Sequence, residues 1–234
     1  MGSVGRYIGE MYGWVPSGYR SRVVIPFSPL ILEALSMARD KRSSQIAFRK
    51  ALVRIGRFMA YEISKDLPVE EYWVETPLGR ARGFRVAGDI VIVEVLRAAI
   101  PFVEGMLKVF KDASVGIVSA SRGPAPEFRI EVNYAKIPSI NGRIVIVADP
   151  MLATGNTLIE VTERVMGEGR PSRLIFATVV SCPPGISKIL GRYPEARLYT
   201  AAVDPELNQK GYIVPGLGDA GDRCFGPDRP HPIK

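Results

Sequence analysis

Five apolar runs rich in valine and isoleucine dominate the chain from residue 90 onward: Ile90 to Val95, Val115 to Ser119, Ile144 to Ala148, Leu174 to Val180 and Leu198 to Val203. A strand with one wet face alternates apolar and polar residues. These runs are nearly continuous instead, as strands covered on both faces must be. Helical segments near residues 100 to 110, 156 to 167 and 184 to 192 separate most of them. Strand and helix repeating in this way predict an α/β fold, a doubly wound, mainly parallel five-stranded sheet with helices on both sides.

What precedes the runs is helical. Ser28-Pro29 opens a helix to about Asp40, with serine at the cap and proline in the first turn. Ser43 and Ser44 open a longer one to about Lys65, in which Phe48, Leu52, Ile55, Met59 and Ile63 keep helical spacing. Lys50, Arg54 and Arg57 fall on another face of that helix, a basic stripe whose ordinary role is solvation. Residues 72 to 75 and 82 to 86, around Thr76-Pro77-Leu78-Gly79, read as a short hairpin. The first 22 residues lack periodicity and read as a loose arm whose aromatics, Tyr7, Tyr12, Trp14 and Tyr19, dock on the body or a neighbour. The division expected is an arm over residues 1–22, one domain over 23–226 carrying N-terminal helices and a small β-rich hood, and a tail over 227–234.

Composition removes several kinds of chemistry. The chain of 234 residues holds one histidine, His231, set in a Pro-rich tail, and two distant cysteines, Cys182 and Cys224. A Cys/His zinc site needs three or four clustered ligands, and a Ser-His or Cys-His mechanism needs a well-placed histidine. No metal ligands are assigned. Two isolated cysteines make no disulfide framework, and neither a membrane span nor a signal peptide is evident, so a cytoplasmic chain is expected. The formal charge of +7 admits an anionic partner.

Ligands of an open parallel sheet bind beyond the carboxyl ends of its strands. After the run ending at Ala148 comes Asp149-Pro150-Met151-Leu152-Ala153-Thr154-Gly155-Asn156-Thr157, then a helix. A strand thus delivers an acid, small residues and hydroxyls into a helix N-terminus, whose free N–H groups and dipole suit a phosphate. A capped strand-to-helix turn with no ligand would use the same residue types. Arg97 and Arg122 follow two other runs and reach the same edge, where a guanidinium can hold a diphosphate.

The nine-residue string resembles the phosphoribosyl-diphosphate loop of the type I phosphoribosyltransferases, in the form used by the uracil phosphoribosyltransferase family. Most type I members carry two adjacent acids here, and Pro150 replaces the second as it does in the uracil enzymes. The segment from Gly211 to Arg223, with Gly218-Asp219-Ala220-Gly221-Asp222-Arg223, is similar to that family's uracil-binding segment. Leu96-Arg97-Ala98-Ala99, Ser121-Arg122, Val203 to Asn208 and Phe48-Arg49-Lys50 also resemble family signatures, so that the likeness spans roughly residues 23 to 226 and is archaeal-like.

The resemblance implies transfer of a phosphoribosyl group to uracil, giving UMP and diphosphate. It implies that Arg97, Arg122, the stretch Asp149 to Thr157 and Asp219 hold phosphoribosyl diphosphate, and that Ile213, Gly218, Asp219 and Ala220 hold uracil. Mg²⁺ would arrive on the substrate diphosphate, and the chain would act as a homo-oligomer, dimer or tetramer, without nucleic-acid or membrane partners. The stripe of Lys50, Arg54 and Arg57 resembles the region through which some members respond to GTP. Three features depart from the pattern: a shorter, Pro-rich segment after Arg122 (Gly123 to Glu127), Ser28 where many members have histidine, and extensions at both ends. Two other readings use the same fold, an RNA-binding pyrimidine attenuation regulator and a transferase for another base such as hypoxanthine or orotate. Both keep the paired acids that Pro150 interrupts.

Overall fold

The computed structural model describes residues 3–122 and 130–227. The Pro-rich segment Gly123 to Glu127 and His231 therefore lie outside the described residues. In chain order the elements are α1 (Ser3–Trp14), a 3₁₀ turn (Ser17–Arg22), β1 (Val23–Val24), α2 (Pro29–Arg39), α3 (Gln45–Ser64), β2 (Val69–Thr76), β3 (Gly79–Val86), β4 (Ile90–Leu96), α4 (Ile100–Leu107), β5 (Ser114–Arg122) and β6 (Ile130–Lys136). They continue with β7 (Ile144–Ala148), β8 (Met151–Leu152), α5 (Asn156–Met166), β9 (Arg173–Ser181), α6 (Pro183–Arg192), β10 (Arg197–Val203), β11 (Glu206–Leu207), β12 (Ile213–Val214) and α7 (Ala220–Phe225).

The five runs form the centre of the sheet in the order β10-β9-β7-β4-β5, all parallel. Every residue of β7 is buried, and so are Ile90 to Val93 of β4. That is the two-sided burial which their unbroken Val/Ile content requires. Among the described residues the sheet has eight strands rather than five. Short β1 joins β10 at one edge, β8 pairs with β9, and β6 runs antiparallel to β5 at the other edge. β1 and β8 are only two residues long, too short for a hydrophobic pattern to announce. β6 alternates intermediate and exposed residues, as an edge strand with a wet face does.

β4 continues through α4 to β5 on one side of itself, while β7 lies on its other side. The direction of winding therefore reverses between β4 and β7, and the crevice at their carboxyl ends is the topological switch point where such sheets bind ligands. The β-rich hood is the antiparallel pair β11–β12, which follows β10 at this same end.

The arm is not loose. α1 buries Ile8 and Met11, and Val15 follows just beyond its end. Gly5, Gly9 and Gly13 hide this pattern in the sequence, because glycine is among the poorest helix formers. Packing of the apolar face supplies what propensity does not. The hairpin β2–β3 is longer than the sequence indicates and pairs in unbroken register from Val69↔Val86 to Thr76↔Gly79. Ser28 occupies the cap position of α2 without a side-chain bond, whereas Ser44 caps α3 by accepting from Ala47 N at 3.2 Å.

Candidate functional site

A cavity of about 340 Å³ opens at the switch point. One wall is the chain leaving β4, Val95 to Ala98, with a cis peptide between Leu96 and Arg97. A second is the turn that leaves β7, and a third is the segment from Gly211 to Gly221. Three stretches far apart in sequence thus share one crevice.

The turn after β7 is built on its neighbour strand. Asp149 N donates to Ala177 O (3.1 Å), and Pro150 O accepts from Val179 N (3.0 Å) and Val180 N (2.9 Å). Leu152 O accepts from Cys182 N (2.9 Å). Gly155 caps α5 at φ +85°, a left-handed conformation that favours glycine; the first N–H groups of the helix have no partner within it, and Asn156 N reaches Thr154 Oγ1 at 3.5 Å. Asp149 Oδ1 accepts from Met151 N at 3.1 Å. Burial pushes the Asp149 carboxyl up to about 6, a shift that this hydrogen bond only partly opposes.

Of the residues in this turn, Asp149, Met151, Leu152, Ala153, Thr154, Gly155 and Thr157 line the cavity. Pro150 is buried behind it in the bonds to β9, and the side chain of Asn156 accepts from Lys188 Nζ. Arg97 lines the cavity and lies 3.8 Å from Asp222. Arg122 is the last residue of β5, and its side chain lies outside the described residues.

The third wall is a folded loop. Asn208 organises its start, since Asn208 Oδ1 accepts from Lys210 N (2.9 Å) and Tyr212 N (3.0 Å). Ile213 leads through a cis peptide between Val214 and Pro215 into Gly216, at φ +60°. Any side chain at Gly216 would drive its Cβ to 2.1 Å from Ile213 O, so only glycine closes this turn. Asp219 then caps α7, accepting from Asp222 N at 2.9 Å, and Tyr212 Oη reaches its other oxygen at 3.4 Å. Ile213, Gly218, Asp219 and Ala220 all line the cavity. The sequence does not single out Tyr212 and Gly221, which line the cavity too.

The basic stripe stands elsewhere. Lys50 and Arg54 border a separate cavity of about 510 Å³ with Arg49, Glu104 and Phe225. Arg54 pairs with Glu33 at 3.2 Å. Arg57 is exposed and does not line that cavity.

This arrangement combines backbone donors at a helix start, a guanidinium and two carboxylates around a space large enough for a small ligand. Comparison with known proteins gives a consistent picture. Residues 25–227 match the family model for uracil phosphoribosyltransferase. A uracil phosphoribosyltransferase from Thermococcus gammatolerans is 58% identical over 202 residues, 85% of this chain and 90% of that one. One from Pyrococcus furiosus is 54% identical, covering 85% and 87%. A solved structure of an Aquifex aeolicus protein superposes with a TM-score of 0.82 at 35% identity, over 87% of this chain and 98% of that one. The chain belongs to the uracil phosphoribosyltransferase family.

Proposed function

We infer that the protein joins uracil to 5-phospho-α-D-ribose 1-diphosphate, giving UMP and diphosphate. The observation that carries this reading is the sharing of one cavity by the Asp149–Thr157 turn and the Gly211–Gly221 loop. A phosphate-binding turn and a backbone-rich loop facing each other suit a phosphorylated sugar meeting a flat base.

In this reading the start of α5, with Thr154 and Thr157, takes the 5′-phosphate, and Asp149 accepts hydrogen bonds from ribose hydroxyls. Arg97 and Arg122 take the diphosphate, and Asp219 faces the phosphoribosyl group. Uracil presents an acceptor-donor-acceptor edge, which the main chain around Ile213 and Gly218 to Ala220 reads. A base lacking one of those partners leaves a buried polar group unpaired and is rejected. Departure of diphosphate leaves positive charge on the anomeric carbon. Fixed charges and dipoles lower that barrier more than a strong base would.

Mg²⁺ fits as a passenger on the diphosphate, because Asp149 and Asp219 are hard oxygen donors lining the cavity and such an ion keeps several waters. Bound there, it would neutralise charge on the leaving group. Pyrophosphate release with a panel of bases tests the reading. Turnover with a purine and none with uracil would overturn it.

Three finer points belong to the same proposal. The cavity beside Lys50 and Arg54 is the GTP effector site, its apolar wall of Ile46, Val53 and Phe225 suiting a base. Arg54→Glu should abolish any GTP response, and a preserved response would remove that site. The chain works as a homo-oligomer, for which exposed Trp73, Leu78 and Phe84 on the β2–β3 hairpin supply apolar surface. It works in the cytoplasm on small molecules rather than nucleic acid, and no described helix is long and apolar enough to cross a membrane.

A further inference from the structure

The base-facing loop is held from behind by groups that do not themselves line the cavity. Asp204 lies between the end of β10 and the start of β11 and is 2% exposed. Its Oδ2 accepts from Gly216 N at 2.8 Å, at the turn that only glycine closes. Arg39, the last residue of α2, donates through Nη2 to Asp204 Oδ1 (2.7 Å) and through Nη1 to Asp204 Oδ2 (2.8 Å). The same Nη1 donates to Gly216 O at 3.0 Å. Both the N–H and the C=O of Gly216 are therefore bound by one ion pair, its carboxylate buried and its guanidinium largely so. Ile213 and Gly218, on either side of this turn, line the cavity.

The pair is itself fixed from behind. Asp204 N donates to Ser181 O at 2.9 Å, at the end of β9. On the outer side Tyr7 of α1 borders Arg39 across a cavity of about 300 Å³, so a helix lying before the family match covers the clamp. A buried ion pair is a poor way to gain stability, since apolar residues of similar volume do as well or better. Its value lies in geometry: a planar guanidinium fork and a carboxylate accept only one arrangement of the loop between them.

We propose that Arg39 and Asp204 are positioning residues for base recognition, holding the Gly216 turn so that the main chain from Ile213 to Ala220 presents its hydrogen-bonding groups to the base. This rests on the reading of that loop as the uracil subsite. It follows that the pair governs affinity for the base more than for the phosphoribosyl group, which meets this loop at Asp219 but otherwise rests on the Asp149–Thr157 turn, held by backbone bonds to β9 and Cys182.

The test compares the parent enzyme, Asp204→Asn and the double variant Arg39→Met/Asp204→Leu, which replaces the ion pair with apolar side chains of similar volume. KM for uracil and for phosphoribosyl diphosphate, kcat and the unfolding midpoint are measured for each. In the double variant KM for uracil should rise about tenfold or more, with KM for phosphoribosyl diphosphate within about twofold, while the unfolding midpoint drops modestly because the buried Gly216 N–H and C=O lose their partners. Asp204→Asn, which keeps an acceptor for Gly216 N–H, should fall between the two. A folded double variant with unchanged KM for uracil overturns the proposal. So do parallel losses in both substrates and in stability, or failure of both variants to fold, since the pair would then be a structural element only. A parent enzyme that does not turn over uracil overturns the functional reading instead, independently of how the variants behave.

Discussion

The two sides of the cavity are built on opposite principles. The Asp149–Thr157 turn is local: a strand, a few residues and a helix in one unbroken stretch, anchored through its backbone to the adjacent parallel strand. The Gly211–Gly221 loop is held by side chains from elsewhere. Arg39 reaches Gly216 across 177 positions, and Arg223 reaches back to α2, donating to Ala38 O and, at 2.6 Å, to Asp40 O, while also binding Leu217 O at 2.8 Å. Its guanidinium lies 4.2 Å from the centre of the Phe48 ring. A phosphate needs only donors converging at a helix start, which local geometry supplies. A flat base must be read by main-chain groups in a loop with little regular structure, and such a loop keeps its shape only if something distant holds it.

That contrast can be broken by substitutions on either side. The largest effect is expected at Gly155, where φ is +85° and an added Cβ would sit 3.3 Å from Gly185 O. Gly155→Val forces a β-branched residue into a left-handed conformation at the phosphate turn, and kcat/KM for phosphoribosyl diphosphate should fall by about 100-fold or more in steady-state assays. An equal rise in KM for uracil alone would contradict the division of labour.

Arg223→Met should act on the other side. It removes charge-assisted bonds to three carbonyls while keeping an apolar stem against Phe48, and bonds of this kind are worth about 1.5–3 kcal/mol each. KM for uracil should rise by roughly tenfold, with a smaller change for phosphoribosyl diphosphate.

A third, smaller effect concerns pH. Burial holds the Asp149 carboxyl at about 6 against an ordinary 3.8. A raised carboxyl favours the folded state while protonated, so its contribution is complete below pH 3.8 and is lost as pH rises through 6. Asp149→Asn removes this loss. The variant should match the parent near pH 4 and exceed it by ~1–2 kcal/mol near pH 8, in denaturant melts without substrate, while turning over poorly. A parent that gains stability relative to the variant as pH rises would reverse the sign.

The smallest effect serves as a control. Ser44→Ala deletes the cap of α3, away from both walls, and should cost about 1 kcal/mol, a drop of about 2–4 °C in Tm, with both KM values unchanged.

The same contrast decides what the sequence discloses. The central strands and helices α2 to α6 were legible because burial on both faces leaves continuous Val/Ile runs, and packing on one side leaves helical periodicity. The Asp149–Thr157 turn was legible because its residues form one unbroken stretch between a strand and a helix. The Gly211–Arg223 loop could be found by family likeness, but its support could not. Nothing near Arg39 marks it as the partner of Asp204, 165 positions away. α1 was missed for another reason, as its glycines break the signal that Ile8 and Met11 would give. The basic stripe was legible as charge, yet Lys50 and Arg54 border the cavity beside Glu104 while Arg57, exposed, does not.

The most direct measurement follows diphosphate release from phosphoribosyl diphosphate and Mg²⁺ with uracil, hypoxanthine and orotate in parallel. Uracil alone should support release, with UMP as the product. Release with hypoxanthine or orotate, and none with uracil, would contradict the assignment of the Gly211–Gly221 loop as a uracil site.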